Sequence, residues 1–151
     1  MYSIFGGMHA NVLSIAKSTT DLSKVRYYPG AIPAGFPSPA DDFVVEQLDL
    51  EAELTKHPRA TYYVRLVGDS LRELGVVDGT LAVVDCLLRP KSGHVVIARI
   101  DADFTCKVLQ IRNGQMKLKA ANPTYPDIVP KEGQTVEIIG VVTALIRKLP
   151  V

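Results

Sequence analysis

From Thr61 onward the chain is a series of short segments rich in apolar and β-branched residues, separated by turn residues. Asn113-Gly114 is the strongest hairpin signal, because both residues tolerate the positive φ that a two-residue turn requires. Asp101-Ala102-Asp103 predicts another tight turn. The predicted strands are 61–67, 80–85, 94–100, 104–111, 115–120 and 136–149, the last being one long strand or two that meet at Gly140. This pattern predicts a mainly β domain with strongly curved, mostly antiparallel sheets.

The part of the chain before Thr61 predicts one short helix. Asp49 is the expected N-cap, the helix extends to Lys56, and Pro58 ends it. Residues 1 to about 26 have weak periodicity and predict an extended N-terminal arm. The segment from Tyr27 to Pro39 contains Pro29, Pro33, Pro37 and Pro39 and predicts an extended linker, which is the form of peptide that proteases generally bind.

Composition limits the classes of function. With 151 residues, of which 47% are hydrophobic, the chain is long enough for one domain with a real core. The net charge is only +1, and the sequence has no basic stripe. Direct binding of nucleic acid is therefore not expected, because proteins that hold DNA usually present clustered Lys and Arg.

The sequence also argues against a metal, a cofactor or a membrane segment. Cys86 and Cys106 lie in apolar segments without a CxxC motif, and they are interpreted as buried free thiols. Neither GxxxxGK[ST] nor GxGxxG occurs, so no nucleotide site is expected. The first lysine is Lys17, unlike a signal peptide, and the longest apolar run, 136–146, is interrupted by polar residues. We expect a cytoplasmic protein.

One serine and one lysine have settings that suit catalysis. Ser70 follows a strand-like segment in Gly68-Asp69-Ser70-Leu71, and Lys107 lies in the apolar segment 104–109. A serine hydroxyl needs a base to remove its proton, and a buried, neutral lysine can be that base. These residues alone also fit an ordinary turn and a solvent-facing lysine, and the alternation of the strand does not decide which face Lys107 takes.

Other serine chemistries fit the sequence less well. The three histidines, His9, His57 and His94, are each better interpreted as surface residues than as a base. The tetrapeptide Gly-Asp-Ser-Leu also names a family of lipid esterases, but those carry an Asp-x-x-His pair near the C-terminus. That pair does not occur in this sequence, so the esterase interpretation is rejected.

Together with the Ala34-Gly35 bond in the linker, these motifs resemble the LexA-like self-cleaving serine peptidases, in particular their UmuD-type SOS mutagenesis branch. The similarity extends over roughly residues 30 to 149. The resemblance implies a LexA/signal-peptidase-like β fold and cleavage between Ala34 and Gly35. It implies Ser70 as nucleophile and Lys107 as general base, with backbone N–H groups of Asp69 and Ser70 at the oxyanion. Residues 1–34 would be the removed arm, and 35–151 the β peptidase and interaction domain.

The resemblance also implies partners. A LexA-type repressor would need a helix-turn-helix domain before the scissile bond, and 34 residues are too few for one. The UmuD-type branch implies a homodimer, stimulation by a RecA filament on single-stranded DNA, and a cleaved core that serves an error-prone, UmuC-like polymerase subunit. The alternatives are a non-catalytic β interaction module with a docking arm, a type I signal peptidase relative, which the lack of a membrane anchor disfavours, and a repressor.

Overall fold

The structure is a computed structural model, and it describes residues 24–36 and 46–151. The arm up to residue 23, including His9, and the linker prolines Pro37 and Pro39 lie outside these ranges. The described residues belong to two compact units, one containing 24–36 and 46–55 and the other containing 56–151.

The smaller unit contains a two-stranded sheet and one helix. Strand β1 (Lys24–Tyr27) pairs antiparallel with β2 (Glu46–Asp49), and helix α1 (Leu50–Leu54) follows directly. Asp49 caps this helix, since its side chain accepts a hydrogen bond of 2.9 Å from the backbone N–H of Ala52. The predicted N-cap is therefore confirmed, although the helix ends two residues early. The sequence did not predict β1 or β2, which are only four residues long each.

The larger unit is one six-stranded sheet, which confirms the mainly β prediction. Its spatial order is β3-β4-β8-β5-β6-β7, and all neighbouring strands are antiparallel. Short 3₁₀ helices lie at Pro58–Ala60 and Arg72–Leu74. The strands are β3 (Thr61–Arg65), β4 (Leu81–Asp85), β5 (Val95–Ile100), β6 (Asp103–Arg112), β7 (Gln115–Lys119) and β8 (Val136–Ile146).

Strands β5, β6 and β7 form a meander through the two turns that the sequence predicted. Asn113 and Gly114 have φ values of 51° and 74°, the left-handed conformation that a tight hairpin of this kind requires. Asp101, at the other turn, has φ of 53°. These local turns fix the register of β6, which carries Lys107, against the strands on either side.

Strand β8 is the last in the sequence but lies in the middle of the sheet. It is one strand with two register shifts, opposite Val83/Val84 and opposite Ile97/Ala98. Such bulges bend a strand and increase its local twist. Gly140 lies between the shifts, where a Cβ would be only 2.7 Å from Cγ1 of Val84, so glycine permits the close approach of β4 and β8.

Two hydrophobic clusters lie against this sheet. Val96 and Ile97 are adjacent in β5 and belong to different clusters, as expected for side chains that alternate between the faces of a strand. The cluster around Ile97 also contains Leu66, Leu71 and Val76, which flank the segment of Ser70. Across the described ranges, no helix is both long and apolar enough to span a membrane.

Candidate active site

Ser70 lies in a turn that follows β3 and is held from two sides. Gly68 has φ of 90°, which glycine adopts without strain, and its N–H donates to the Asp78 carboxylate at 2.9 Å. The N–H of Arg72 donates to the Asp69 carbonyl at 3.0 Å and closes the turn. Ser70 is therefore presented where the strand ends.

The second support comes from the segment that follows β7. The N–H of Ala121 donates to the Ser70 carbonyl at 2.8 Å, and Nδ2 of Asn122 donates to the Asp69 carbonyl at 2.9 Å. The carbonyl of Ala121 in turn accepts from the N–H of Glu73 at 2.8 Å. These bonds join the serine turn to a part of the chain about 50 residues away, so the turn is fixed by tertiary structure.

Lys107 reaches the serine from the middle of β6. Its Nζ lies 2.6 Å from Oγ of Ser70, and its side chain is buried, with the residue only 7% exposed. The structure thus brings together the two residues that the sequence singled out, although they are 37 positions apart. The alternation of residues along the strand did not decide to which side of the sheet the Lys107 side chain points. In the structure it points to Ser70.

The surroundings favour a neutral amine. Burial lowers the pKa of Lys107, because desolvation disfavours its charged form. None of the salt bridges within the described residues involves Lys107. The neighbouring Cys106 would oppose this shift only as a thiolate, but burial raises the pKa of that thiol to about 12, so it stays neutral near pH 7. The described charges therefore do not hold Lys107 in its protonated form.

A groove of about 470 Å³ opens over this pair. One wall is the segment 64–71 and the other is 104–107, with Val76, Ile97 and Tyr125 completing the lining. The hydroxyl of Tyr125 hydrogen bonds to the Asp69 carboxylate, which raises the pKa of Tyr125 because a phenolate would be repelled there. The groove is lined largely by apolar side chains and holds a serine hydroxyl beside a lysine amine, an arrangement that suits a peptide bond held in an extended segment.

The predicted scissile bond lies in the smaller unit. Ala34 and Gly35 are exposed in a bend that covers residues 34–36. Apart from Gly35 itself and its two chain neighbours, no atom of the described residues lies within 4 Å of the position that a Cβ on Gly35 would take. Among the described residues, therefore, none outside the immediate chain neighbours crowds Gly35, and open space of this kind is what a nucleophile needs in order to reach the bond.

Neither described histidine lines the groove. His57 is about one-third exposed and lies with Nδ1 2.6 Å from the carboxylate of Asp85, which is only 1% exposed. Burial acts to raise the pKa of Asp85, but hydrogen bonds from His57 and from the N–H of Leu87 outweigh it and lower that pKa. His94 accepts a 3.2 Å bond from the N–H of Lys91. The sequence interpretation of His57 as a surface residue missed its bond to a buried aspartate.

Within the part of the chain that the structure describes, the cysteines and the possible metal ligands form no second centre. Cys86 and Cys106 are free, and both are of intermediate burial rather than fully buried. Among the residues of 24–36 and 46–151, no group of three His, Cys, Asp or Glu side chains could hold a metal ion.

Sequence reasoning missed the support that Ala121 and Asn122 give to the serine turn. The run Asn122-Pro123-Thr124-Tyr125 indicates a turn, but nothing local links it to Ser70.

Comparison with known proteins gives a consistent result. Residues 26–143 match the family model described as Peptidase S24-like. Protein SamA of Salmonella typhimurium is 47% identical over 116 residues, which is 77% of this chain and 80% of SamA. Protein MucA of Escherichia coli is 36% identical over 129 residues, or 84% and 87% of the two chains. The LexA repressor of Paracidovorax citrulli is 32% identical over 118 residues, or 78% of this chain and 52% of the repressor.

Proposed function

This chain belongs to the Peptidase S24-like family, and from that premise we propose that it cleaves its own Ala34-Gly35 bond, with Ser70 as nucleophile and Lys107 as general base. The observation that carries the proposal is the 2.6 Å separation between Nζ of Lys107 and Oγ of Ser70 at a buried lysine. A neutral amine at this distance can accept the serine proton as the hydroxyl attacks.

The reaction begins when Ser70 Oγ attacks the carbonyl carbon of Ala34 while its proton moves to Nζ of Lys107. The negative oxygen that forms is stabilised by the backbone N–H groups of Asp69 and Ser70. In support, these two groups have no hydrogen-bond partner within the described ranges. A donor of this kind is worth about 3–4 kcal/mol in the transition state.

The C–N bond then breaks, and the Lys107 ammonium gives its proton to the leaving amine of Gly35. Water hydrolyses the ester between Ser70 and Ala34, with Lys107 again removing a proton, and the free hydroxyl is restored. The products are a fragment of residues 1–34 and one of residues 35–151.

Two costs keep the intact chain from cutting at once. Near pH 7 an ordinary lysine, with a pKa of about 10.4, is almost entirely protonated, so the active form must be reached by losing that proton. The bond between Ala34 and Gly35 must also be placed in the groove against segments 64–71 and 104–107, which costs conformational entropy. A partner that binds the docked form better than the free form shifts this equilibrium.

We assign that partner role to a RecA filament on single-stranded DNA. The remaining core would act in the cytoplasm as a homodimer and as the accessory subunit of an error-prone, UmuC-like translesion polymerase. This assignment rests on the UmuD-type resemblance of the Ala34-Gly35, Ser70 and Lys107 motifs, and the similarity to SamA and MucA over most of the chain supports it.

Incubation of the pure chain at about pH 9 without a partner tests the proposal. Mass spectrometry should find two new species whose masses equal those of residues 1–34 and 35–151, growing in equal amounts. A chain that stays intact for days, or one cut only at other bonds, would contradict the proposal. The non-catalytic interaction module predicts that intact result.

A further inference from the structure

Among the side-chain hydrogen bonds of residues 24–36 and 46–151, the one from Asn122 links the loop after β7 to the backbone of the serine turn. We propose that Asn122 is a positioning residue that orients the peptide unit between Asp69 and Ser70, so that the N–H of Ser70 is directed into the groove. The inference rests on the proposed function, because it assigns this N–H to the oxyanion.

The amide group of Asn122 is fixed on both sides. The residue is only 8% exposed, its Nδ2 donates to the Asp69 carbonyl at 2.9 Å, and its Oδ1 accepts from the N–H of Thr124 at 3.0 Å. The backbone carbonyl of Asn122 also accepts from the N–H of Tyr125 at 3.0 Å. Because Oδ1 is already bound to a backbone donor, Nδ2 remains the atom that faces Asp69.

The planarity of the peptide bond transmits this contact to Ser70. The carbonyl of Asp69 and the N–H of Ser70 belong to one planar trans unit and point in opposite directions. Since Asn122 holds the carbonyl on one side, the N–H is directed to the other side. Asp69 and Ser70 both line the groove, and the Ser70 N–H makes no hydrogen bond to any residue that the structure describes.

The serine turn needs such a restraint. The peptide unit between Asp69 and Ser70 rotates about ψ of Asp69 and φ of Ser70, and Gly68 directly before it adds little steric restraint, so a hydrogen bond is needed to hold the unit in one orientation. The N–H of Arg72 also bonds to the Asp69 carbonyl, but it lies within the same turn and moves with it. Asn122 holds the carbonyl from a separate segment of the chain, and the residue before it bonds to the Ser70 carbonyl.

Two variants at this position separate orientation from packing. Asn122→Asp keeps the volume and the acceptor for Thr124, but it places a carboxylate oxygen against the Asp69 carbonyl in place of a donor. Asn122→Ala removes the donor without adding charge. Asp127→Asn is the matched control, because Asp127 bonds to the N–H of Ala120 and to Lys117 in the same part of the chain without touching the serine turn.

The measurement is the first-order rate of self-cleavage of the full-length chain from pH 6 to 10.5, with the melting temperature recorded for each variant. We expect the high-pH plateau to fall roughly tenfold in Asn122→Ala and roughly 100-fold in Asn122→Asp, because one oxyanion donor is typically worth 100- to 1,000-fold in rate. The midpoint of the pH profile should not move, since Lys107 is untouched. Asp127→Asn should keep the wild-type plateau.

Three results would overturn the inference. The first is a folded Asn122→Asp chain that cuts at the wild-type plateau. The second is a shifted midpoint with an unchanged plateau, which would mean that Asn122 acts on Lys107. The third is that neither variant folds, which would make Asn122 a structural residue only. If the wild-type chain itself does not cut, the proposed function fails first and this inference fails with it.

Discussion

A chain with Ser70→Ala should remain at full length under every condition that cuts the wild-type chain. The substitution removes the oxygen that attacks the Ala34 carbonyl, and no other hydroxyl lies against Lys107 among the described side-chain bonds. Loss of a serine nucleophile typically reduces the rate by about 10⁴-fold or more, which places residual cutting below detection. The fraction of intact chain over several days at pH 9, measured by mass spectrometry, checks this expectation.

Ser92→Ala is the matched control for this variant. Ser92 bonds through its hydroxyl to the N–H of Ile111 and does not line the groove, so the same chemical change should leave self-cleavage at the wild-type rate. The Ser70→Ala chain should also stay folded, because loss of one hydrogen bond of this kind changes the free energy of unfolding by about 1 kcal/mol. Release of the 1–34 fragment from pure Ser70→Ala protein would contradict the assignment of the nucleophile.

Replacement of Lys107 by arginine or by methionine should also abolish self-cleavage, each for a different reason. Arginine keeps the positive charge but cannot lose its proton in the accessible pH range, so it offers no base even at pH 10. Methionine is unbranched and apolar, is one heavy atom shorter than lysine, and has no basic nitrogen. We expect rates at least about 10³-fold below wild type for both, within the range that general bases and dyad members contribute.

The matched control is Lys148→Arg, an exposed lysine near the end of the chain, which should cut at the wild-type rate. Wild-type, variant and control chains are compared at pH 7 and at pH 10 by the same fragment assay. Cleavage of Lys107→Arg that increases with pH would show that another group removes the serine proton, and the dyad would then be wrong.

The Lys107→Met chain should also be more stable than wild type at pH 7. Burial lowers the pKa of Lys107 in the folded state, so the unfolded chain binds more protons at pH values between that lowered pKa and the ordinary lysine value. The stability of the wild-type chain therefore increases as pH rises from the folded pKa towards the unfolded value, and the penalty is present below that window. Urea unfolding at pH 7 should give a higher midpoint for Lys107→Met, and the difference should shrink at pH 10.

The strands of the large unit could be predicted because their signals are local. Runs of β-branched residues, together with Asn113-Gly114 and the turn at Asp101, defined β5, β6 and β7 to within one residue. Strands β1 and β2 were missed because each is only four residues long, and β2 contains a single apolar residue, Leu48. The central position of β8 could not be predicted either, since it depends on pairing with β4 and β5, which are far away in sequence.

The same distinction between local and distant signals applies to the site. Ser70 and Lys107 could be singled out because their motifs are local and resemble those of a known family. The support from Asn122 and Ala121 is a tertiary contact, with 53 positions between Asn122 and Asp69, and it leaves no local pattern. The bond between His57 and Asp85 was missed for the same reason, because the two residues are 28 positions apart.

The pH dependence of wild-type self-cleavage tests the central claim most directly, because it reports the proton on Lys107 without any substitution. The first-order rate should rise about tenfold per pH unit below the pKa of Lys107 and level off above it, as expected for a base that acts in its neutral form. Burial places this midpoint below the ordinary lysine value of about 10.4. A rate that is flat or falls between pH 6 and pH 9 would contradict an uncharged Lys107 as the base for Ser70.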